Sequence, residues 1–511
     1  MKNRIAILII CLSFVIRWFC FQYTSIINPD GVLYIHQARA IYYGIKDALI
    51  TPHQLSYLSN YPIFIAATYT IAKDWVIAAK SVSLIFGTMT LVPLYFLLKR
   101  FFDDKIGLLV LLIFALIPVS IDRSVDVVRG PIFWFFSVLG LYLFVSQFNK
   151  KNHLYLLLSS LSFLMATWAR VEAILFIIVS CCYILAARQE MRFEKFIVFI
   201  IPIIVLLMFI AISELISNMS NLNIFRYKKI MFYNGYENLR AGLERLKDQP
   251  LGYVKPFYIE WVRNLVWFIA LGILLTSMVK AFFYPFFLVF IIGLVGIRER
   301  VNKDKRIFYF VFIAIGALVI LYMFILGRQT MATRYLMLFV LPSFIFIGFG
   351  LEKIIFFLKS RFNFTESVTL SILCLLILGC ALPKNLKPRE TDKLVFKEIG
   401  ELIADREGND KEIKVATSLY SVKWISFYAN LHYKGAPRPK QNYDLKNIMG
   451  NSYQEFVQNL RNRGIRYFLW EESHWPKQSA SYITTQNPND FIRVGTWSHP
   501  DTGKLILFEV T

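Results

Sequence analysis

Charged residues are scarce in this 511-residue chain, at 18% of the total, and histidine and cysteine occur only six times each. Hydrophobic residues make up 57%, and 47 residues are phenylalanine. So few polar residues cannot cover the outside of a soluble protein of this length. The same composition excludes a disordered chain, a collagen-like repeat and a small disulfide scaffold. It indicates a polytopic membrane protein.

Acidic residues are also few, since 34 Asp and Glu stand against 56 Lys and Arg, a net charge of +22. No nucleic-acid-binding motif accompanies this charge, so no nucleic-acid partner is expected. The positive-inside bias of membrane proteins accounts for the excess of basic residues. The cysteines all fall in apolar segments without metal-ligand spacing to histidine, and we expect them to be packing residues.

Apolar segments of helical length predict eleven transmembrane helices. If the basic clusters between them face the cytoplasm, the N-terminus is cytoplasmic, as a retained signal-anchor, and the C-terminus is outside. Tyr61 to Ala72 is too short to span a membrane, and counting 262–280 as a span would turn the basic cluster Arg298 to Arg306 outward, so both segments are expected to be interfacial or re-entrant. The predicted spans are 5–21, 76–98, 106–120, 131–148, 154–169, 171–187, 196–215, 281–297, 307–326, 335–351 and 367–383.

The composition changes after Pro383, where apolar runs become short. Their spacing predicts strands at 413–417, 466–470 and 504–510 and an amphipathic helix at 453–463. The expected fold is therefore a polytopic α-helical membrane protein with about 11 transmembrane helices and a small C-terminal extracytoplasmic α/β domain. The predicted division is a transmembrane domain at 1–383, with outer loops 22–75 and 217–280, and the α/β domain at 384–511.

Ionisable residues in or beside the predicted spans gather on the outer side. A transport pathway would be expected to place some of them near the middle of the membrane, so the pattern favours a reaction or binding site at the outer surface. These residues are Arg17, Lys80, Asp122, Arg123, Asp126, Arg129, Arg170, Glu172, Glu214, Arg328 and Arg334.

The first outer loop opens with Asn28-Pro29-Asp30-Gly31, and Tyr34 follows one helical turn later. A carboxylate at the membrane boundary suits a general base that takes a proton from an acceptor hydroxyl. Asp30 would also serve well as a helix N-cap before Gly-Val-Leu-Tyr. The spacing alone leaves both interpretations open.

Several short motifs follow one another in a definite order. They are Pro29-Asp30-Gly31-x-x-Tyr34, Tyr61-Pro62-Ile63-Phe64, Ala78-Ala79-Lys80-Ser81-Val82-Ser83, Trp168-Ala169-Arg170-Val171-Glu172 and Thr333-Arg334-Tyr335-Leu336. Together they resemble the polytopic glycosyltransferases of the C superfamily, which include protein O-mannosyltransferases, aminoarabinose transferases and bacterial family-39-type enzymes. The resemblance covers roughly residues 1–383.

The resemblance implies an inverting transfer of a sugar from a polyprenyl-phosphate donor to an acceptor hydroxyl on the outer, periplasmic side of a bacterial inner membrane. Asp30 matches the proposed base of the family. The developing phosphate charge needs cations or hydrogen-bond donors. The candidates for the phosphate are Arg334, then Arg129 and Arg170; those for the acceptor or a second carboxylate are Asp126, Asp122 and Glu172; Tyr34 and Tyr335 are supporting residues.

The sequence departs from the family at two places. Arg129-Gly130-Pro131 stands where an acidic residue usually precedes a span, which argues against a divalent metal, and no cofactor is expected. Leu58-Ser59-Asn60-Tyr61-Pro62 replaces the Glu-Lys-Pro-Pro stretch of the aminoarabinose branch, which disfavours that assignment. The expected partners are the lipid-linked donor, a protein or envelope-glycan acceptor, and membrane lipids.

Two alternatives stay open at the level of sequence. A lipid-linked glycan ligase or polymerase would depend on Arg328 and Arg334 and would not need Asp30. A transporter or flippase of lipid-linked intermediates would show discontinuous spans with polar groups at the midplane. In the C-terminal region, Tyr420, Trp424, Tyr428 and Trp470 are either sugar-stacking residues or, more in keeping with their spacing, core residues.

Overall fold

The structure is a computed structural model. It describes residues 2–24, 26–50, 57–150, 152–186, 191–217, 235, 237–245, 256–387, 391–408, 411–418, 421–437, 448–475, 481–482 and 490–511.

Eight helices within these ranges are long and apolar enough to cross a membrane, or nine if one bent helix pair forms a single span. The prediction of a polytopic helical membrane protein is therefore confirmed. The eight are Asn3–Tyr23, Trp75–Leu98, Gly130–Phe148, Arg192–Ile212, Glu260–Phe282, Lys305–Arg328, Thr333–Phe362 and Glu366–Asn385, and the bent pair is Asp104–Leu116 with Pro118–Ser124.

Three of the eleven predicted spans are shorter helices of 10–17 residues, namely His153–Ala169, Val171–Ala186 and Tyr284–Leu294. Conversely, Glu260–Phe282 has the length and apolarity of a span, although loop charge assigned 262–280 to the interface. It ends at Phe282, and the next residue, Phe283, is a non-glycine residue with a φ of 64°, which interrupts the helical backbone before Tyr284.

The chain divides into two compact units, and the first comprises residues 1–20, 83–125 and 129–387. At its centre is the helix Thr333–Phe362, in which every residue from 336 to 351 is buried. The other helices with bounds inside this unit are Leu91–Leu98, Asp104–Leu116, Pro118–Ser124, Gly130–Lys150, His153–Ala169, Ile174–Ala186, Arg192–Ser217, Pro256–Phe282, Tyr284–Leu294, Ile297–Lys303, Lys305–Arg328 and Glu366–Asn385.

The bent helix pair is stabilised by two buried polar side chains. Pro118 interrupts the helix and bends it by 53°, which removes hydrogen-bond donors from the carbonyls before it. Arg17 donates to the carbonyl of Ala115 at 3.1 Å, and Asn385 donates to that of Leu116 at 2.7 Å. These contacts give the fully buried Arg17 a structural role.

The second unit comprises residues 21–82, 126–128 and 388–511. Its helices are Pro29–Tyr43, Asn60–Ala72, Leu394–Glu407, Val422–Ala429 and Tyr453–Asn462, while Lys2–Tyr23 and Trp75–Met89 each contribute one end. A four-stranded sheet has the order β1-β2-β4-β3, with β1 Val415–Ala416, β2 Tyr467–Glu471, β3 Phe491–His499 and β4 Gly503–Val510. Strands β1 and β2 are parallel and the other two pairs are antiparallel.

The helix Pro29–Tyr43 is fastened to the segment that follows Val422–Ala429. Arg39 is buried and donates to the carbonyls of Asn430 at 3.0 Å, Gly435 at 2.7 Å and Tyr433. Burial lowers the pKa of Arg39 to about 10, so the guanidinium remains charged at neutral pH. Three carbonyl acceptors thus compensate a buried charge.

Candidate active site

Asp30 lies in the first turn of the helix Pro29–Tyr43. The N-cap is Asn28, whose side-chain oxygen accepts the Asp30 N–H at 2.9 Å, and Pro29 occupies the first helical position. The alternative that Asp30 itself caps the helix is therefore wrong. About a third of the Asp30 side chain is exposed (34%), which suits a base that must reach an acceptor.

Asp126 is hydrogen-bonded to the residue that caps this helix. Asp30 and Asp126 both belong to the second unit. One oxygen of the Asp126 carboxylate accepts the N–H of Asn28 at 2.9 Å and that of Val127 at 2.7 Å. Asn28 thus links the Asp126 carboxylate to the backbone N–H of Asp30. The backbone approach is close, since a Cβ on Gly31 would lie 2.7 Å from the Cβ of Val127.

Two lysines accompany these carboxylates. Lys80 is buried and donates to the carbonyls of Phe21 at 2.6 Å and Thr24 at 3.0 Å, and its charge interacts with that of Asp126. Lys423 lies with its Nζ 3.7 Å from an Asp30 carboxylate oxygen. Sequence reasoning missed Lys423 because nothing near it in the sequence connects it with the first loop.

The helix Val422–Ala429 is held beside Asp30 by Trp424, whose indole donates to the carbonyl of Ile27 at 2.8 Å. Trp424, Tyr428 and Trp470 are all buried, as expected of core residues, and Trp424 stacks on Phe396 with 5.8 Å between ring centroids. Tyr420 lies outside the described residues.

The arginines proposed for the donor phosphate lie near one another in the first unit. Arg170 is in the turn between two apolar helices, donates to the Arg334 carbonyl at 2.6 Å and is 3.6 Å from the Glu172 carboxylate. Its pKa is lowered by burial, partly restored by Glu172, and lowered further by Arg129 and Arg334. Because Arg170 is buried, the partly exposed Arg129 and Arg334 are better placed to meet a ligand.

The remaining predicted site residues have other neighbours. Asp122 belongs to the first unit and forms an ion pair with Arg123 at 3.3 Å. Tyr34 packs edge-on against Tyr61 with ring centroids 5.5 Å apart. The Tyr335 ring lies under the Arg170 guanidinium at 4.6 Å, and its hydroxyl accepts a hydrogen bond from Arg328 at 3.3 Å.

One group of side chains in the described ranges has the composition of a metal site: Asp392, His499 and Asp501. However, Nδ1 of His499 accepts the Asp501 N–H at 3.1 Å, so the neutral ring carries its proton on Nε2. That nitrogen faces the Asp392 carboxylate at 3.9 Å. The arrangement fits an Asp–His contact better than a metal ligand set, since a metal needs an unprotonated nitrogen.

Known structures share this fold. ArnT from Cupriavidus metallidurans, bound to undecaprenyl phosphate, aligns with a TM-score of 0.60 and 9% identity over 98% of this chain and 97% of its own. The oligosaccharyltransferase AglB from Archaeoglobus fulgidus, in complex with an inhibitory peptide and a dolichol-phosphate, aligns with a TM-score of 0.53 and 10% identity over 98% and 74%. This chain therefore shares its fold with these two membrane proteins.

The sequence itself carries a family match. Residues 60–213 match the model of the dolichyl-phosphate-mannose-protein mannosyltransferase family. No curated protein sequence matches significantly. The resemblance predicted from the motifs is confirmed, and the family match and the shared fold support the prediction of a membrane glycosyltransferase.

Proposed function

We propose that this protein is an inverting glycosyltransferase that moves a sugar from a polyprenyl-phosphate donor to an acceptor hydroxyl on the outer side of a bacterial inner membrane. The observation that carries the proposal is the Asp30 carboxylate, which is partly exposed in the first turn of its helix. Its backbone is bound by Asn28, and Asn28 is bound by Asp126. A base held this way on a fixed backbone is already oriented for proton transfer.

The reaction balances with these groups. The acceptor oxygen forms a bond to the anomeric carbon while the bond from that carbon to the phosphate oxygen breaks. The acceptor proton passes to Asp30, and the electron pair of the broken bond leaves on the polyprenyl phosphate. Attack from the face opposite the phosphate inverts the anomeric configuration. Asp126 acts in this scheme through Asn28, as a positioning residue.

The choice of donor draws on the relatives and on charge. ArnT was solved with undecaprenyl phosphate and AglB with a dolichol-phosphate, so lipid-linked phosphates bind to this fold. In the present chain, Arg129 and Arg334 supply partly exposed cations that can bind a phosphate. The acceptor would be a protein or an envelope glycan, and the C-terminal region would face the same outer side.

Transfer by the purified full-length protein in detergent tests the proposal, with a panel of polyprenyl-phosphate sugars as donors. Wild type should release free polyprenyl phosphate, and Asp30→Asn should slow the release by about a hundredfold or more, the range of general-base catalysis. Asp47→Asn is the matched control, because Asp47 is an exposed acid of the same loop. Equal release by wild type and Asp30→Asn would remove Asp30 from the chemistry and favour a ligase dependent on Arg328 and Arg334.

A further inference from the structure

The helix Val422–Ala429 presents one unburied side chain. Seven of its eight residues are buried, and the exception is Lys423. The burial of Trp424, Ile425, Phe427 and Tyr428 fixes the rotation of the helix about its axis. Residue 423 would therefore keep its place if another side chain replaced the lysine. The hydrogen bond from Trp424 to the Ile27 carbonyl fixes the first turn beside the Asp30 loop.

The ammonium of the partly exposed Lys423 side chain lies beside the proposed base. Its Nζ is 3.7 Å from the Asp30 carboxylate, and the two side chains keep 25% and 34% of their surface exposed. A half-exposed ion pair of this kind contributes little to stability, about 1 kcal/mol or less. An anionic ligand can therefore displace the carboxylate from the ammonium at little cost to stability.

The other lysine beside the carboxylates is already engaged. The Lys80 ammonium is buried and donates to two backbone carbonyls, so it is committed to fixing residues 21–24. Lys423 is only partly buried, and its ammonium lies next to the carboxylate that would take the acceptor proton. A cation at this position is separated from the acceptor hydroxyl only by the Asp30 carboxylate.

We infer that Lys423 binds the phosphate of the lipid-linked donor, and that residues 388–511 thereby contribute a ligand-binding side chain to the active site. This inference rests on the proposed function. In the free protein the ammonium pairs with Asp30. When donor binds, the ammonium contacts the phosphate, and it offsets the charge that develops there as the glycosidic bond breaks.

The inference gives Lys423 and Asp30 opposite effects on binding. Removing the lysine charge should weaken binding of any ligand that carries the phosphate. Removing the Asp30 charge should leave phosphate binding unchanged or strengthen it, because it takes away a competing anion. If the lysine only adjusted the base, removing its charge would not weaken phosphate binding.

The test measures binding of undecaprenyl phosphate, and of undecaprenol as the phosphate-free probe, to the purified full-length protein in detergent. Lys423→Gln should raise the Kd for the phosphate about tenfold or more and leave that for undecaprenol unchanged, since a hydrogen bond to a charged group is lost. Lys423→Arg should stay within about threefold of wild type. Asp30→Asn should bind the phosphate at least as tightly as wild type, and Lys504→Gln, at an exposed lysine of β4, should match wild type.

Two results would overturn the inference and leave the proposed function standing. One is wild-type affinity of Lys423→Gln for undecaprenyl phosphate while Asp30→Asn abolishes transfer. The other is wild-type affinity of that variant with a displaced pH–rate profile, which would assign the lysine to the base alone. If wild type bound undecaprenol and undecaprenyl phosphate equally and transferred no sugar, the proposed function itself would fall.

Discussion

The carboxylate of Asp126 accepts the backbone N–H of Asn28 at 2.9 Å, and the side chain of Asn28 in turn accepts the N–H of Asp30 at the same distance. A second carboxylate is thus used as a fixed acceptor for backbone donors, two residues before the proposed base. Its contribution to catalysis would be to hold Asp30 in place.

Replacing Asp126 should separate its charge from its hydrogen bonds. Asp126→Asn keeps an acceptor oxygen for Asn28 and Val127 and should melt near the wild-type temperature, whereas Asp126→Ala leaves two N–H groups without an acceptor. We expect Asp126→Ala to lose about 1–3 kcal/mol of stability. Thermal unfolding in detergent and the transfer assay together check this. Equal melting of the two variants would contradict the positioning role.

Two neighbouring arginines should respond differently to truncation. Arg170→Ala removes a buried guanidinium that binds the Arg334 carbonyl and lies near Glu172, so it should destabilise the protein by about 2–3 kcal/mol. Arg334→Ala should leave the melting temperature nearly unchanged and slow transfer, because a partly exposed cation for the phosphate is lost. A wild-type rate and donor affinity for Arg334→Ala would exclude that role.

Glu471 supports the segment that leads to Lys423. Its fully buried carboxylate accepts hydrogen bonds from the hydroxyls of Thr417 and Ser421 and from the N–H of Ser418. Glu471→Leu leaves these donors unsatisfied and should cost about 1–3 kcal/mol of stability. It should also weaken undecaprenyl phosphate binding, since Ser421 directly precedes the lysine-bearing helix. Glu472→Gln, at the adjacent exposed acid, is the control for the thermal and binding measurements.

Low pH should weaken the contacts that Glu407 makes with Arg466 and Tyr467 at the sheet. Burial alone would raise the pKa of Glu407, but hydrogen bonds from Tyr467 and Arg466 bring it below the ordinary 4.5. The stabilisation is therefore present above pH 4.5 and is lost as the pH falls through the lower, folded value. At pH 7, Glu407→Gln should have a lower melting temperature than wild type, which corresponds to a loss of under about 1 kcal/mol in the free energy of unfolding. The difference should vanish in acid. A gap that persists at low pH would contradict this account.

Sequence reasoning worked where the signal was local. The apolar segments and strands β2 and β4 are each encoded by neighbouring residues. Strand β3 was missed because it is the edge strand of the sheet, mostly exposed, with a register shift between Arg493 and Gly495. Its residues show no clear alternation of buried and exposed positions.

Lys423 could not be found from the sequence for a different reason. It is one of 19 basic residues after Pro383, and its helix is buried on nearly every side, which erases the period of an amphipathic helix. For the segment 262–280, length and loop charge favour different positions, so its interfacial or re-entrant placement stays a prediction. Its 27-residue helix shows that charge bias alone does not decide whether a segment has the dimensions of a span.

The contacts of Arg39 set an order for the folding of this protein during its synthesis. Gly435, whose carbonyl accepts from the guanidinium, is made 396 positions after the arginine. A ribosome therefore completes every candidate span among the described residues before Arg39, on the helix that bears Asp30, can reach this acceptor. A truncated product would enter the membrane without this contact, so any sugar transfer that depends on Asp30 must await the last part of the chain.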